Sequence, residues 1–225
     1  MIIQENIKRL QEQTGDKKYV LVAISKTKPV EAILQAYQAG IRDFGENKVQ
    51  ELVKKKEALP HDIRWHMVGH LQRNKVKLIV PFIHLIHSID SIYLLEEINK
   101  QAAKADRIIS CLLQVHIAEE ETKFGFDEIE LFGLINSGAL SGMKNVKVAG
   151  LMGMATFTDD TVKVKREFAS LKKIFDNIQS HSHPDNLEMK HLSMGMSGDY
   201  PLALEEGSNM VRIGTAIFGE RNYDE

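Results

Sequence analysis

Tyr19-Val-Leu-Val-Ala-Ile-Ser25, followed at once by Lys26-Thr-Lys-Pro29, is the stretch that decides the fold. The run is apolar at both odd and even positions, which predicts a strand covered on both faces rather than one half in water. Pro29 is placed to open a helix, because an N–H missing from the first turn has no partner to lose. Ile33, Leu34 and Tyr37 then recur at helical spacing up to Gly40, a residue suited to a helix end. Working outward, the same strand-then-helix unit repeats. Strands are predicted at 43–45, 63–68, 84–87, 108–115, 146–150, 188–191 and 209–213, with helices at 48–57, 71–80, 92–103, 127–137, 161–180 and 200–205. A helix at 3–13 precedes the first strand. Strict alternation implies a mainly parallel sheet. Eight such strands in 225 residues suit a closed (β/α)8 barrel with an extra N-terminal helix. An open doubly wound sheet would carry a glycine-rich turn after its first strand, and Ser25-Lys-Thr-Lys-Pro29 has no glycine. With no repeat and no Pro/Gly/Ser linker, residues 1–225 are expected to form one domain.

The 29 Lys+Arg against 31 Asp+Glu leave a formal net charge of −2, which argues against a nucleic-acid partner. The single Cys111 excludes an intrachain disulfide, and its place in a strand predicts a small core residue. The longest apolar run, 78–86, is broken by Pro81 and His84 and is too short to span a bilayer. No secretory h-region follows Met1, so a cytoplasmic protein is expected. Nine histidines raise the question of a metal. His66 and His70 are four apart, but Gly69 and a strand-like flank argue against one helical face; His84 and His87 fall on opposite faces by strand parity; His181 and His183 lie in a polar loop. No glutamate completes a helical zinc pattern, so no metal site is predicted. Met152 and Met154, placed after strand six, and Met194 and Met196 are expected to pack around the barrel mouth.

In such barrels the chemistry sits at the C-terminal ends of the strands. Lys26 lies just past the first strand. A lysine amine is a nucleophile toward carbonyls only when its usual pKa of roughly 10.4 is brought down. Lys28 shares its parity, so spacing does not choose between the two, and a solvated loop lysine is the alternative for both. Ser193-Met-Gly-Met-Ser197-Gly-Asp199 and Gly214-Thr215 are small, hydroxyl-bearing loops after strands seven and eight, the recurrent phosphate position in these barrels. Ordinary capped turns would have the same composition. Arg212, inside the apolar strand Met-Val-Arg-Ile, needs a partner: a carboxylate, a structural contact or a polar ligand atom. A lysine, a phosphate cradle and a buried cation together point to pyridoxal 5′-phosphate, which offers an aldehyde, a phosphate and a ring nitrogen.

Five motifs then carry a resemblance over essentially the whole chain. They are Ala23-Ile-Ser-Lys-Thr-Lys-Pro29; Phe44-Gly-Glu-Asn47 with Gln50-Glu51; Trp65-His-Met-Val-Gly-His-Leu-Gln72 with Asn74-Lys75; Ser193-Met-Gly-Met-Ser197 with Asp199; and Val211-Arg-Ile-Gly-Thr215 with Phe218-Gly219. Together they resemble the pyridoxal phosphate homeostasis proteins, whose fold is similar to the barrel domain of alanine racemase. Met67-Val68 departs modestly from the larger apolar residues expected there. Lys123-Phe-Gly125 also resembles a family motif, of open role, and Glu119-Glu-Glu121 before it reads as a solvated loop. The resemblance implies a barrel of pyridoxal phosphate fold type III that holds the cofactor as a Schiff base on Lys26. It also implies phosphate contacts from Ser193, Ser197, Gly214 and Thr215, Arg212 facing the pyridine nitrogen, and Asn47 in the pocket. The implied role is cofactor homeostasis, including passage to apo enzymes, without catalysis; a monomer is expected separately, because the barrel's exterior carries no large apolar stripe. The rival is an amino-acid racemase. That enzyme would add a β-rich domain, for which the residues after Thr215 leave no room, and a second acid/base tyrosine, for which Tyr19, Tyr37, Tyr93, Tyr200 and Tyr223 sit in no comparable context.

Overall fold

The computed structural model describes residues 2–119, 125–181 and 183–220. Within them eight strands follow in chain order around a closed barrel: β1 (Val20–Ile24), β2 (Asp43–Glu46), β3 (Arg64–Met67), β4 (Leu85–Ile89), β5 (Ile109–His116), β6 (Val146–Met154), β7 (Leu187–Ser193) and β8 (Met210–Ile213). Every neighbouring pair is parallel, and residues 20–23 close the ring against 210–213. The helices are α1 (Ile2–Thr14), α2 (Val30–Gln38), α3 (Val49–Ala58), α4 (Val76–Ile79), α5 (Ile92–Lys104), α6 (Glu128–Asn136), α7 (Thr161–Ser180), α8 (Tyr200–Glu205) and α9 (Thr215–Phe218). No helix among the described residues is long and apolar enough to cross a membrane.

The double-sided apolarity of β1 has its cause in two separate cores. Leu21 and Ala23 pack outward into the large layer shared with the helices, whereas Val20, Val22 and Ile24 turn into the lumen. There they meet Leu85, Leu112, Ala149, Met152 and Met210. The rest of the lumen is polar. His66, His87, Ser193 and Arg212 are all buried inside it, a departure from the branched aliphatic filling usual in such barrels.

Helix α7 spans the predicted residues. Asp160 caps it by accepting from the N–H groups of Val162 and Lys163, both at 3.0 Å. Its stripe of Val164, Phe168, Leu171, Ile174, Phe175 and Ile178 is buried. Elsewhere the bounds move. The helix expected at 71–80 is a tight turn at Arg73–Lys75 followed by the single-turn α4, which ends at Ile79, two residues before Pro81. β6 runs on to Met154, so Met152 is a lumen residue within the strand and not part of a loop after it. β7 likewise extends to Ser193, which makes that residue the last of a strand. Register shifts in β4–β5, β5–β6 and β6–β7 accompany the longer strands, and each bulge resets the parity that sequence alternation relies on. At one of them Gly150 adopts φ 139°, and a Cβ there would lie 1.9 Å from the His191 carbonyl oxygen. Only glycine lets β6 and β7 approach so closely.

The seam between the first and last strands is stapled from outside. Lys28 Nζ donates to the carbonyls of Phe218 (3.2 Å), Gly219 (3.2 Å) and Glu220 (2.7 Å), just past the end of α9. Asn6 Nδ2 donates to Ile217 O at 3.0 Å.

Candidate functional site

The residues singled out by sequence lie at the C-terminal ends of four neighbouring strands around the seam: Lys26 past β1, Asn47 past β2, Ser193 closing β7 with Ser197 in the loop behind it, and Arg212 in β8 with Gly214 and Thr215 following. Lys26, half-buried, continues the lumen-facing parity of Val22 and Ile24. Thr27 then takes a positive φ of 64° and turns the chain away. Lys28 has its three donors committed to three carbonyls and is thus a structural cap. The two lysines that spacing left equivalent thus differ in setting: Lys28 is tied to the end of α9, and Lys26 continues the lumen-facing parity of β1.

A buried ion-pair cluster fixes the backbone on both sides of Lys26. Lys55 Nζ, reaching up from α3, donates to the Ser25 carbonyl, to Glu46 Oε1 and to Glu51 Oε1, each at 2.7 Å. Ser25 Oγ donates to Glu46 Oε1 at 2.6 Å, and Glu51 Oε1 accepts the Thr27 N–H at 2.6 Å. Glu46 is fully buried, and its Oε2 has no hydrogen-bond partner among the described residues. Burial pushes its carboxyl up from the ordinary value, and the Lys55 ammonium offsets this only in part. Sequence reading missed this cluster, although Glu46 and Glu51 stood inside a quoted motif. Asn47 follows directly. Its backbone packs so closely on Gly69 that a Cβ there would lie 2.5 Å from the Asn47 carbonyl oxygen.

Across the seam, Ser197 Oγ accepts from the backbone N–H groups of Gly214 (3.2 Å) and Ala216 (3.3 Å). Ser197 therefore does not cap α8, as an ordinary turn would have it; it ties the β7 loop to the β8 loop. Asp199 holds that loop by accepting the Met196 N–H at 2.6 Å. An oxygen that draws two adjacent N–H groups marks a spot suited to an anion's oxygens.

Arg212 turns out to have neutral direct partners. Nη1 donates to Ser193 O at 2.8 Å and to Ser193 Oγ at 2.7 Å, and Nη2 donates to Gly153 O at 3.1 Å. Burial brings its pKa down to about 10, against the opposing charge of Asp199. A guanidinium carries five N–H donors, so these three bonds do not exhaust it.

From Ser193 a chain of hydrogen bonds runs down the lumen. Ser193 Oγ meets His87 Nδ1 at 3.1 Å, His87 Nε2 meets His66 Nδ1 at 2.9 Å, and His66 Nε2 meets Asp43 Oδ1 at 3.0 Å. Arg64 closes the lower end, its Nε and Nη2 on the two Asp43 oxygens at 2.7 and 2.5 Å. Burial works to raise the Asp43 carboxyl, but Arg64 and His66 outweigh it and hold the group well below the usual carboxylate range. Burial lowers His66 and His87, the latter well below its ordinary value. His84 precedes β4, so strand parity does not govern it, and its ring lies 5.4 Å from that of His66. Asp43, His66 and His84 bring ligand atoms within 4.8 Å of one another. Since Arg64 already occupies both Asp43 oxygens, the geometry fits the end of a hydrogen-bonded chain better than a metal centre. A cavity of about 370 Å³ opens at this N-terminal mouth, opposite the motif residues. Cys111 is fully buried, and burial pushes its thiol up, which fits a core residue. Lys123 and the end of the acidic run before it lie outside the described residues.

Comparison with known proteins adds an independent line. The family model for the alanine racemase N-terminal domain matches residues 2–222. The chain is 40% identical over 224 residues to the pyridoxal phosphate homeostasis protein of Aquifex aeolicus, covering 98% of this chain and 96% of that one. It is 41% identical over 208 residues to the protein of the same name from Vibrio alginolyticus, covering 90% and 87%. Among solved structures, PipY of Synechococcus elongatus with PLP bound superposes with a TM-score of 0.84 at 35% identity, covering 96% of this chain and all (100%) of that one. Alanine racemase from Bartonella henselae superposes with a TM-score of 0.73 at 16% identity, a likeness of fold, over 100% of this chain and 61% of the racemase.

Proposed function

The chain belongs to the family of pyridoxal phosphate homeostasis proteins, and from that premise we propose that it binds pyridoxal 5′-phosphate at the β7–β8–β1–β2 mouth and holds it in reserve. The observation that carries this is the pairing, on adjacent strands, of Lys26, clamped by the Glu46–Lys55–Glu51 cluster, with the Ser197-bridged loops. The residues present fit the group. The Thr215 N–H, the Gly214 and Ala216 N–H groups gathered at Ser197 and the Ser197 hydroxyl proton are offered to a phosphate, whereas the Ser193 hydroxyl, expected there from sequence, is engaged between Arg212 and His87. Arg212 offers a permanent cation for the ring nitrogen, and Asn47 a polar side chain at the neighbouring strand end. When bound, the cofactor supplies an aldehyde that a lysine amine can capture reversibly.

Each residue then has a defined task. Lys26 is the covalent anchor, while the cluster beneath it keeps its peptide in one place. Arg212, held by Ser193 and Gly153, disfavours a second positive charge beside it, so the ring nitrogen stays unprotonated. An unprotonated ring withdraws electrons weakly, which suits storage over turnover. We read the protein accordingly as a non-catalytic, cytoplasmic, monomeric carrier that passes the cofactor to apo enzymes. The family model shared with alanine racemase keeps racemisation as the competing reading.

Borohydride reduction of the loaded protein followed by peptide mapping tests the site. A label on Lys26, absent in Lys26→Ala and retained in Lys28→Ala, is expected. A label on Lys28, or none, overturns the assignment. Amino-acid racemisation at enzyme-like rates that is lost in Lys26→Ala would overturn the carrier role.

A further inference from the structure

The lumen chain from Arg212 to Asp43 has one donor-only end and one acceptor-only end. A guanidinium can only donate and an ionised carboxylate can only accept. Asp43 therefore requires the proton of His66 on Nε2. That leaves Nδ1 of a neutral His66 as an acceptor, which requires the proton of His87 on Nε2 as well. Nδ1 of His87 is then an acceptor facing Ser193 Oγ, so the Ser193 hydroxyl donates downward and presents its lone pairs to Arg212. Every proton between the two ends has one place. Both imidazoles are buried, His66 1% and His87 0% exposed. Beside an apolar lumen cluster, two buried histidines are costly to keep unless their bonds matter.

We propose that His87 and His66 are positioning residues for the cofactor end of the barrel. With Ser193 they form a one-directional hydrogen-bonded strut that fixes the Ser193 hydroxyl as an acceptor for Arg212. The proposal rests on the reading that Arg212 faces bound pyridoxal phosphate. His66 touches neither Ser193 nor Arg212 by hydrogen bond, yet its loss reverses the preference of its neighbour. Without the His66 acceptor, His87 gains by carrying its proton on Nδ1, toward Ser193, and the Ser193 hydroxyl hydrogen loses its acceptor.

The first test needs no variant. Two-bond 1H–15N correlation on the full chain, unloaded and loaded, reads the tautomers, and Nε2–H is expected for both histidines. A proton on Nδ1 of His87 in the wild-type protein overturns the proposal. The second test loads 15N-pyridine-labelled cofactor into His87→Leu, His66→Leu and His87→Asn. One buried hydrogen bond corresponds to roughly a two- to tenfold change in equilibrium. The cofactor dissociation constant is therefore expected to rise about that much in both Leu variants, with a displaced ring-nitrogen resonance. His87→Asn, which keeps an acceptor near the Nδ1 position, is expected to stay within about twofold of wild type. Leu variants that melt earlier but match wild type in affinity and ring resonance would show a merely structural role and sink the proposal. Should the Leu variants fail to fold, the tautomers and His87→Asn still decide it. A wild-type protein that takes no cofactor at Lys26 fails the underlying reading instead, and the tautomers of the unloaded chain remain readable.

Discussion

Replacing Lys55 by methionine keeps an unbranched stem of four of the five side-chain atoms and removes the charged ammonium with its donors. Three contacts at 2.7 Å disappear, and the fully buried Glu46 retains only the Ser25 hydroxyl as a direct partner. Breaking a buried pair in this way costs about 3–5 kcal/mol, because the surviving charge is stranded. At roughly 2–4 °C per kcal/mol for a chain of this size, the melting temperature should fall by about 6–20 °C. The loss should depend on pH. Burial already raises the Glu46 carboxyl, and Lys55 is the largest of the effects that lower it. Without Lys55 the folded-state pKa rises further above the unfolded one. A group raised in this way contributes stability that is present below its unfolded pKa and lost as the pH climbs through its folded pKa. Lys55→Met should thus fall furthest behind wild type at pH 8 and recover part of the gap at pH 5. The double variant Glu46→Leu/Lys55→Met strands no charge and should regain most of the stability, while still failing to hold the Ser25 carbonyl beside Lys26. Denaturation at the two pH values gives the first quantity, and the rate of borohydride trapping at Lys26 gives the second. A Lys55→Met variant within about 1 kcal/mol of wild type at pH 8, where breaking a buried pair should cost several, would refute the reasoning. So would a deficit that does not shrink at pH 5.

Three further outcomes are expected. Lys28→Ala should leave labelling at Lys26 intact and speed hydrogen exchange in the last described turn, 215–220; loss of the label would contradict the separation of the two lysines. Gly150→Ala should abolish folding or cost more than about 4 kcal/mol, since the added Cβ meets the His191 carbonyl at 1.9 Å and no flexible side chain can yield there. A soluble Ala variant with native thermal stability would refute the close approach. Stability of the wild type should decline as pH falls below about 6.5, by up to roughly 1.4 kcal/mol per pH unit for each imidazole held neutral by burial. Burial lowers both His66 and His87, so unfolding takes up protons in that range. A flat profile between pH 7 and 5 would contradict it.

The barrel was legible because helix and strand periods alternate without interruption, and α7 was legible to the residue because Asp160 and its stripe leave no ambiguity. The ends of β6 and β7 were not, because a bulge changes which residues face inward without any change in composition. Arg212 was recognisable as a buried cation in need of a partner, but composition did not choose between a carboxylate, a structural contact and a ligand atom; the structure supplies carbonyls and a hydroxyl. His66 and His87 were weighed only as metal ligands. Their pairing joins residues 21 positions apart on adjacent strands and depends on lumen geometry that periodicity does not encode. Lys26 and Lys28 could not be told apart by spacing, since the difference lies in carbonyls 190–192 residues downstream.

That staple has a bearing on the order in which a ribosome delivers the molecule. Lys26 emerges early, yet the strand beside it, the loops across from it and the carbonyls that anchor Lys28 belong to residues 193–220. The mouth cannot assemble until nearly the whole described chain has left the exit tunnel, and pairings this distant in sequence form slowly. Through most of its synthesis the lysine is an ordinary solvated amine. On the proposed reading, a cofactor aldehyde meeting it then would find no cradle, so a stable complex would wait until residues 193–220 are in place.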